Sequence, residues 1–241
     1  TDAIFHGTQP GLNKVYVVTP VDADRIDSDD AGDTVTVVPR GESKEYEVET
    51  DLLRPWLQGR DVQRWRCEWT GQHVILPYQI KKEETGEINV QIHSQKYLQN
   101  NLPLTWKYFQ KHEEALKSRE SGKMRGRDDW YAYTYPKSHQ RFEQPKVVGR
   151  QFSDHSQFML DENGDWYFKG AYGILLQPEF QNLTDEICCQ LNSKPLDFYF
   201  KHIATQKQGG YFAYRSQYLS QLPCFVKNSD TAFADMSEMI K

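Results

Sequence analysis

A chain of 241 residues with 38% hydrophobic content can bury a core without disulfide or metal staples, and its length fits one large domain or two small ones. A net charge of −5 argues against a uniformly basic nucleic-acid binder. No apolar run approaches the roughly 20 residues of a membrane helix, no signal-peptide pattern opens the chain, and a start at Thr1 in place of Met reads as a fragment of a longer protein.

In chain order, "GTQPGLNKVYVV" (Gly7–Val18) comes first. Its Pro10-Gly11 pair predicts a type II turn, with Pro10 fixing φ at the second position and Gly11 taking a positive φ at the third. Val15–Val18 reads as a strand. Asp22–Asp33 is acidic and turn-rich, a solvated loop. Thr34–Val38 and Tyr46–Glu49 predict a hairpin around Pro39-Arg40-Gly41. His73–Tyr78 is a short buried strand ended by proline. Thr105–Glu120 carries Tyr108, Phe109, Ala115 and Leu116 on one helical face, with Gly122 as terminator. Ser121–Trp130 is a basic loop broken by glycines.

"QPKVVGRQF" and "WYFKGAYGILL" read as two strands joined through the turn signal "DENGD". "TDEICCQLNS" predicts a helix capped by Thr184, with acidic residues in its first turn. A second helix starts at Ser193, where Pro195 suits the first turn. Gly209–Pro223 is a glycine-led loop returning to short regular structure. The tail from Thr231 places Phe233, Met236 and Ile240 on one helical face. Strands early and helices late make the class α+β.

Motifs of catalysis are missing. Cys67, Cys188, Cys189 and Cys224 form no C-x-x-C pair, which fits a cytoplasmic chain with reduced thiols. His112-Glu113 lacks a second histidine four residues on, so there is no zincin motif. Gly11 is followed by Leu12-Asn13-Lys14 and a β-branched run, not by the Lys and Ser/Thr of a P-loop. The methyltransferase signature Asp/Asn/Ser-Pro-Pro-Tyr/Phe is absent. Glu143 stands without a second carboxylate to hold Mg²⁺.

The charge is uneven: residues 1–50 carry −7, residues 51–150 carry +6 and residues 151–241 carry −4. Within the basic middle, Arg60, Arg64 and Arg66 alternate with Trp65 and Trp69. Lys123, Arg125, Arg127, Lys137 and Arg141 alternate with Trp130, Tyr131, Tyr133 and Tyr135. Further on, Tyr211, Tyr214 and Arg215 follow paired glycines. Cations neutralise phosphates by releasing counterions, and Arg can read guanine bidentately. The structural alternative is that the charges line solvated faces and the aromatics fill the core.

Four segments, in order, resemble the TaqI-like C-terminal specificity domain over about Ile4–Pro223. "GTQPGLNKVYVV" is similar to its opening G-x-x-T-G-L-N element, with Pro10 where the family has Thr. "LLRPWLQGRDVQRW" is similar to its L-K/R-P-F/W-L-x-G-R/K-D element. "FEQPKVVGRQFSDHSQFMLDENGDWYF" resembles the strand pair after its K-P-K element. "LNSKPLDFYFKHIATQKQGGYFAYRSQYLSQLP" resembles its closing L-N-S-K helix and glycine-aromatic loop.

The resemblance implies a target recognition domain over residues 1–223, with a curved mixed or antiparallel β-sheet core and helices. Residues 224–241 would be a truncated helical tail. It implies double-stranded DNA and a catalytic domain of the same parent chain as partners. That domain would bind S-adenosylmethionine, flip an adenine and methylate its N6 in a bacterial restriction-modification, phage-defence setting; no cofactor is expected in this fragment. The DNA contacts expected are Lys14, Arg60, Arg64, Lys123, Arg125, Arg127, Lys137, Arg150, Tyr211 and Arg215, with Pro10, Gly11 and Asn13 as an interdomain turn. The alternatives are a protein-docking module of a phage-defence methyltransferase and a Mg²⁺-dependent nuclease fragment.

Overall fold

The computed structural model describes residues 3–22, 26, 33–83, 85–225 and 234–235. In chain order the elements are β1 (Ile4–His6), α1 (Asn13–Tyr16), β2 (Val17–Pro20), β3 (Thr34–Pro39), β4 (Tyr46–Glu49), β5 (Leu53–Gln58), β6 (His73–Ile75), β7 (Tyr78–Lys82) and β8 (Ile88–Ile92). Helices α2 (Gln95–Asn101), α3 (Pro103–Lys111), α4 (Glu113–Lys117), α5 (Arg119–Gly122) and α6 (His139–Phe142) follow. The remainder is β9 (Lys146–Arg150), β10 (Phe152–Ser153), β11 (Phe158–Asp161), β12 (Tyr167–Lys169), β13 (Ala171–Ile174), α7 (Thr184–Leu191), α8 (Lys194–Ile203), β14 (Phe212–Ala213), α9 (Ser216–Leu219), β15 (Pro223–Cys224) and β16 (Ala234–Asp235). Mixed helices and antiparallel sheets make the fold α+β.

The chain divides into two compact units. Unit I comprises Thr1–Gly7, Leu57–Thr70 and Arg141–Lys241, and unit II comprises Thr8–Trp56 and Gly71–Gln140, so far as these residues are described.

In unit II, antiparallel strands run in the order β5-β6-β2-β3-β4. The predicted hairpin is present: Val35 pairs with Val48 and Val37 with Tyr46, and the valines face inward by strand alternation. The buried Glu49 at the end of β4 accepts from the backbone N–H of Leu104 (2.9 Å) and Thr105 (2.8 Å). A carboxylate on the free N–H groups of a helix start satisfies orphan donors at the positive end of the dipole. Aromatics fill the rest of this core: Tyr16 packs edge-on to Tyr133, and Phe109 stacks on Tyr131.

In unit I, antiparallel strands run β1-β13-β9-β11. Ile187, Cys188, Leu191, Leu196 and Phe200 of α7 and α8 share a buried cluster with Val147, Phe158 and Ile174 of the sheet. Burial of this apolar surface is what holds two short helices that are marginal alone. A buried ion pair, Lys146 with Asp161, joins β9 to β11. Asp161 also accepts from the N–H groups of Gly164 (3.0 Å) and Asp165 (2.9 Å), which fixes the "DENGD" turn.

Several expectations need correction. Asn13–Tyr16 is one helical turn, so the strand begins at Val17, not Val15. The helix expected over Thr105–Glu120 is three pieces, broken at His112 and Ser118, and the third is itself kinked where Glu120 and Ser121 have φ of 47° and 60°. His112 is turned into the core against Tyr46 and Tyr108, a packing demand that overrides helical periodicity. His73–Tyr78 stops as a strand at Ile75, and a new strand begins at Tyr78. Thr184 does not cap α7: it is the first helical residue, and its hydroxyl donates to the Gln181 carbonyl at 2.7 Å. Strand β11 lies between the two strands expected around "DENGD". The acidic loop Asp22–Asp33 lies almost wholly outside the described residues, as do Phe233, Met236 and Ile240; β16 pairs antiparallel with β15.

Candidate nucleic-acid interface

The opening turn belongs to unit II. Gly11 has φ of +88°, as a type II turn requires at its third position, and a Cβ there would meet Thr134 Oγ1 at 2.1 Å. Protein fills the space beside the turn, so it is not a phosphate cradle. The Pro10 carbonyl accepts from Arg119 Nη1 at 2.7 Å. Arg119 also donates through Nε to Leu116 O (2.7 Å) and through Nη2 to Trp130 O (2.7 Å) and Ala132 O (2.9 Å). It is 4% exposed, and its guanidinium lies 5.4 Å from the Tyr16 ring centre. Nothing in the sequence marks Arg119, which reads there as one more surface cation. Asn13 is the first residue of α1, and Lys14 beside it is exposed.

The other expected contacts of unit II divide by partner. Arg127 grips Asp129 through two bonds of 2.8 and 2.7 Å. Those hydrogen bonds hold the Asp129 carboxyl below its ordinary pKa and push the Arg127 pKa up. Arg125 pairs with Glu114 at 3.0 Å. Lys123 Nζ sits 4.3 Å from the Tyr135 ring centre, a cation–π geometry. Lys137 is exposed and has no ion pair among the described residues. Trp130, Tyr131 and Tyr133 belong to the core: the Tyr133 hydroxyl donates to Ile75 O at 2.8 Å, and Tyr131 donates to His93 O.

Unit II also holds a cleft of about 600 Å³ lined by Lys44, Lys107, Lys111, Tyr46, Tyr108 and Glu47, among others. Burial, opposed by Glu42 and reinforced by Lys14, Lys111 and Lys44, lowers the His112 pKa. The sequence hides this cationic cluster because its members come from separate elements.

In unit I the site is organised by Asn192, which is 2% exposed. Its Oδ1 accepts from Phe158 N (3.0 Å) and its Nδ2 donates to Phe158 O (2.8 Å), so one side chain pairs with the start of β11 as a neighbouring strand would. The Asn192 carbonyl accepts from Arg64 Nη2, and Phe158 O also accepts from Trp65 N at 2.9 Å. Three of the segments singled out in the sequence, carrying Arg64, Phe158 and Asn192, therefore meet at one point. Arg64 is a latch here, with one guanidinium nitrogen committed to backbone.

Trp65 stands at the tip of the turn between Gln63 and Arg66, 51% exposed. The Arg60 side chain is 67% exposed, 3.7 Å from Asp61. Arg150 donates to Gln157 Oε1 at 2.8 Å. In the glycine-aromatic loop, Gly209 and Gly210 take φ of +79° and +81°. Beyond them Tyr211 and Arg215 are exposed, whereas Tyr214 is buried and stacked on Phe200 at 4.1 Å. Ser193 caps α8 as expected, accepting from Leu196 N.

Among the described residues, no three His, Cys, Asp or Glu side chains gather into a group that could hold a metal ion. No helix among them is long and apolar enough to cross a membrane.

What these units define is a scaffold of small antiparallel sheets and short helices that carries cations and aromatics on turns. Residues 54–224 match the model of the TaqI-like C-terminal specificity domain. The chain belongs to that family. It is also similar to the Type II methyltransferase M.BstVI of Geobacillus stearothermophilus, with 25% identity over 219 residues, 90% of this chain. The chain spans about a third of that protein's length (32%).

Proposed function

We propose that this chain is the DNA target recognition domain of an adenine-specific DNA methyltransferase, or of a fused restriction-modification enzyme. The observation that carries the reading is the specificity-domain match over residues 54–224. Its role is to hold duplex DNA in register while a separate catalytic domain flips an adenine and methylates N6 from S-adenosylmethionine. Removing one base from the stack requires the flanking duplex to stay fixed. Phosphate contacts give that register, and a few base-edge contacts give the sequence preference.

Exposed cations support the reading: Lys14, Lys123, Lys137 and the partly committed Arg125 and Arg127 in unit II, and Arg60 and Arg215 in unit I, where Arg150 is half-buried. On this reading S-adenosylmethionine belongs to the separate catalytic domain.

Titration of labelled duplex DNA with the 241-residue chain at increasing salt tests the proposal. Binding that weakens linearly on a log–log plot is expected, with a slope of about −0.9 per phosphate neutralised. Binding indifferent to salt, or no binding at low salt, would falsify it.

A further inference from the structure

Trp65 has φ of +76°. In this left-handed region Cβ crowds the backbone, so glycine, asparagine and aspartate are the usual occupants and a bulky aromatic is an outlier. The other non-glycine residues with positive φ among those described are Glu120, Ser121 and Ser138, all small or flexible polar side chains.

The surroundings hold Trp65 in place. Val62 and Cys67 form an antiparallel bridge below the turn, and Gln63 N donates to Arg66 O at 2.9 Å. Trp65 N donates to Phe158 O, the same carbonyl that Asn192 Nδ2 holds. The fold gains little by way of burial, since the residue is 51% exposed and its ring lies against the Arg64 guanidinium at 5.4 Å. A glycine would make this turn without strain. Strain kept on a rigid, exposed turn is found where the side chain serves a ligand.

We infer that Trp65 is a base-stacking side chain, presented by a locked turn to the exposed face of a base in the DNA this domain holds. The inference rests on the proposed DNA-binding role. The chemistry fits: an indole offers a π-face to any base. Arg64 and Arg66 on either side supply positive charge for the flanking phosphates, although Arg66 shares its charge with Glu68 at 2.9 Å. An aromatic inserted at a step also stabilises a duplex that has opened a gap in its stack.

The test uses the 241-residue chain, its Trp65→Gly and Trp65→Phe variants, and two duplexes, one intact and one with a single abasic site. The wild type should bind the abasic duplex more tightly, and Trp65→Gly should weaken that binding on the order of tenfold. Trp65→Phe should retain most of the affinity. Trp65→Gly should unfold in urea at the same or a higher concentration than wild type, because glycine accepts this φ. Indole emission present in wild type and absent from Trp65→Phe should be quenched on binding.

Equal affinity of wild type and Trp65→Gly overturns the inference and leaves the DNA-binding role intact. A lower urea midpoint for Trp65→Gly also overturns it, since the indole would then serve the fold. Failure of the wild type to bind any duplex at low salt removes the DNA-binding role and the inference with it.

Discussion

Arg119 Nη1 lies 2.7 Å from the Pro10 carbonyl oxygen, across 109 residues of chain. Four of its N–H bonds end on backbone carbonyls, so peptide dipoles solvate the buried cation. Arg119→Met should cost at least about 3 kcal/mol, since it strands several buried acceptors at once. Arg119→Lys should recover only part, because an ammonium lacks the planar fork that reaches four carbonyls. Urea unfolding measures both. A methionine variant within about 1 kcal/mol of wild type would show that the opening turn stands without this residue.

The Lys146–Asp161 pair makes a second prediction. Burial is the main cause that lowers the Lys146 pKa, with Asp161 opposing it. Lys146→Met alone leaves the Asp161 carboxylate buried without its cation, a loss of about 3–5 kcal/mol. The double variant Lys146→Met/Asp161→Asn should recover much of that. A double-mutant cycle reads the coupling, and additive losses would count against it.

Acid should weaken unit II in a defined window. His93, His112 and His139 all lie in this unit, and burial is the first cause lowering the pKa of each. For His139 the pKa falls from 6.5 to about 4. The unfolded chain therefore takes up a proton near 6.5 while the folded chain does not until about 4. Stability is fully present above the unfolded value and is lost as pH falls toward the folded one, on the order of 3 kcal/mol for this residue. Asp129, Asp154 and Asp197 are lowered from 3.8, so their contributions are lost only at lower pH. Urea midpoints between pH 7 and pH 4.5 should fall for wild type and flatten for His139→Gln. An unchanged slope in the variant would assign the loss elsewhere.

Salt titrations should separate committed cations from available ones. Lys137 has no ion pair among the described residues, whereas Arg127 is already neutralised by Asp129. Lys137→Ala should lower the salt slope of DNA binding by about 0.9, and Arg127→Ala should change it less. The reverse order would place the duplex on the other side of this loop.

The sequence carried local features well. Alternation in "TVTVV" and "YEVE" marks the β3–β4 hairpin, and Ser193 with Pro195 marks the start of α8, because each signal acts within a few residues. Features set by distant partners were hidden. The helix expected from Thr105 breaks where His112 turns inward. Strand β11 follows "SDHSQ", a polar stretch with no strand signature; its backbone is paired by Val147–Gly149 and by the Asn192 side chain. The site shows the same division. Arg and Lys identities declare charge, but only long-range contacts reveal that Arg64 and Arg119 serve backbone carbonyls while Lys137 does not. The exposure of Trp65 was equally illegible, since Trp130 has a similar basic setting and is buried.

The interleaving of the two units sets an order of assembly. Every residue of unit II has been synthesised once Gln140 is added, whereas β1 pairs with β13 through Ile4 and Ile174. Domains generally fold as they emerge, and contacts between distant residues form late. Strand β1, made before all of unit II, is thus among the last to be secured. A nascent chain stalled before Ala171 would carry a finished unit II beside a β1 still waiting for its partner.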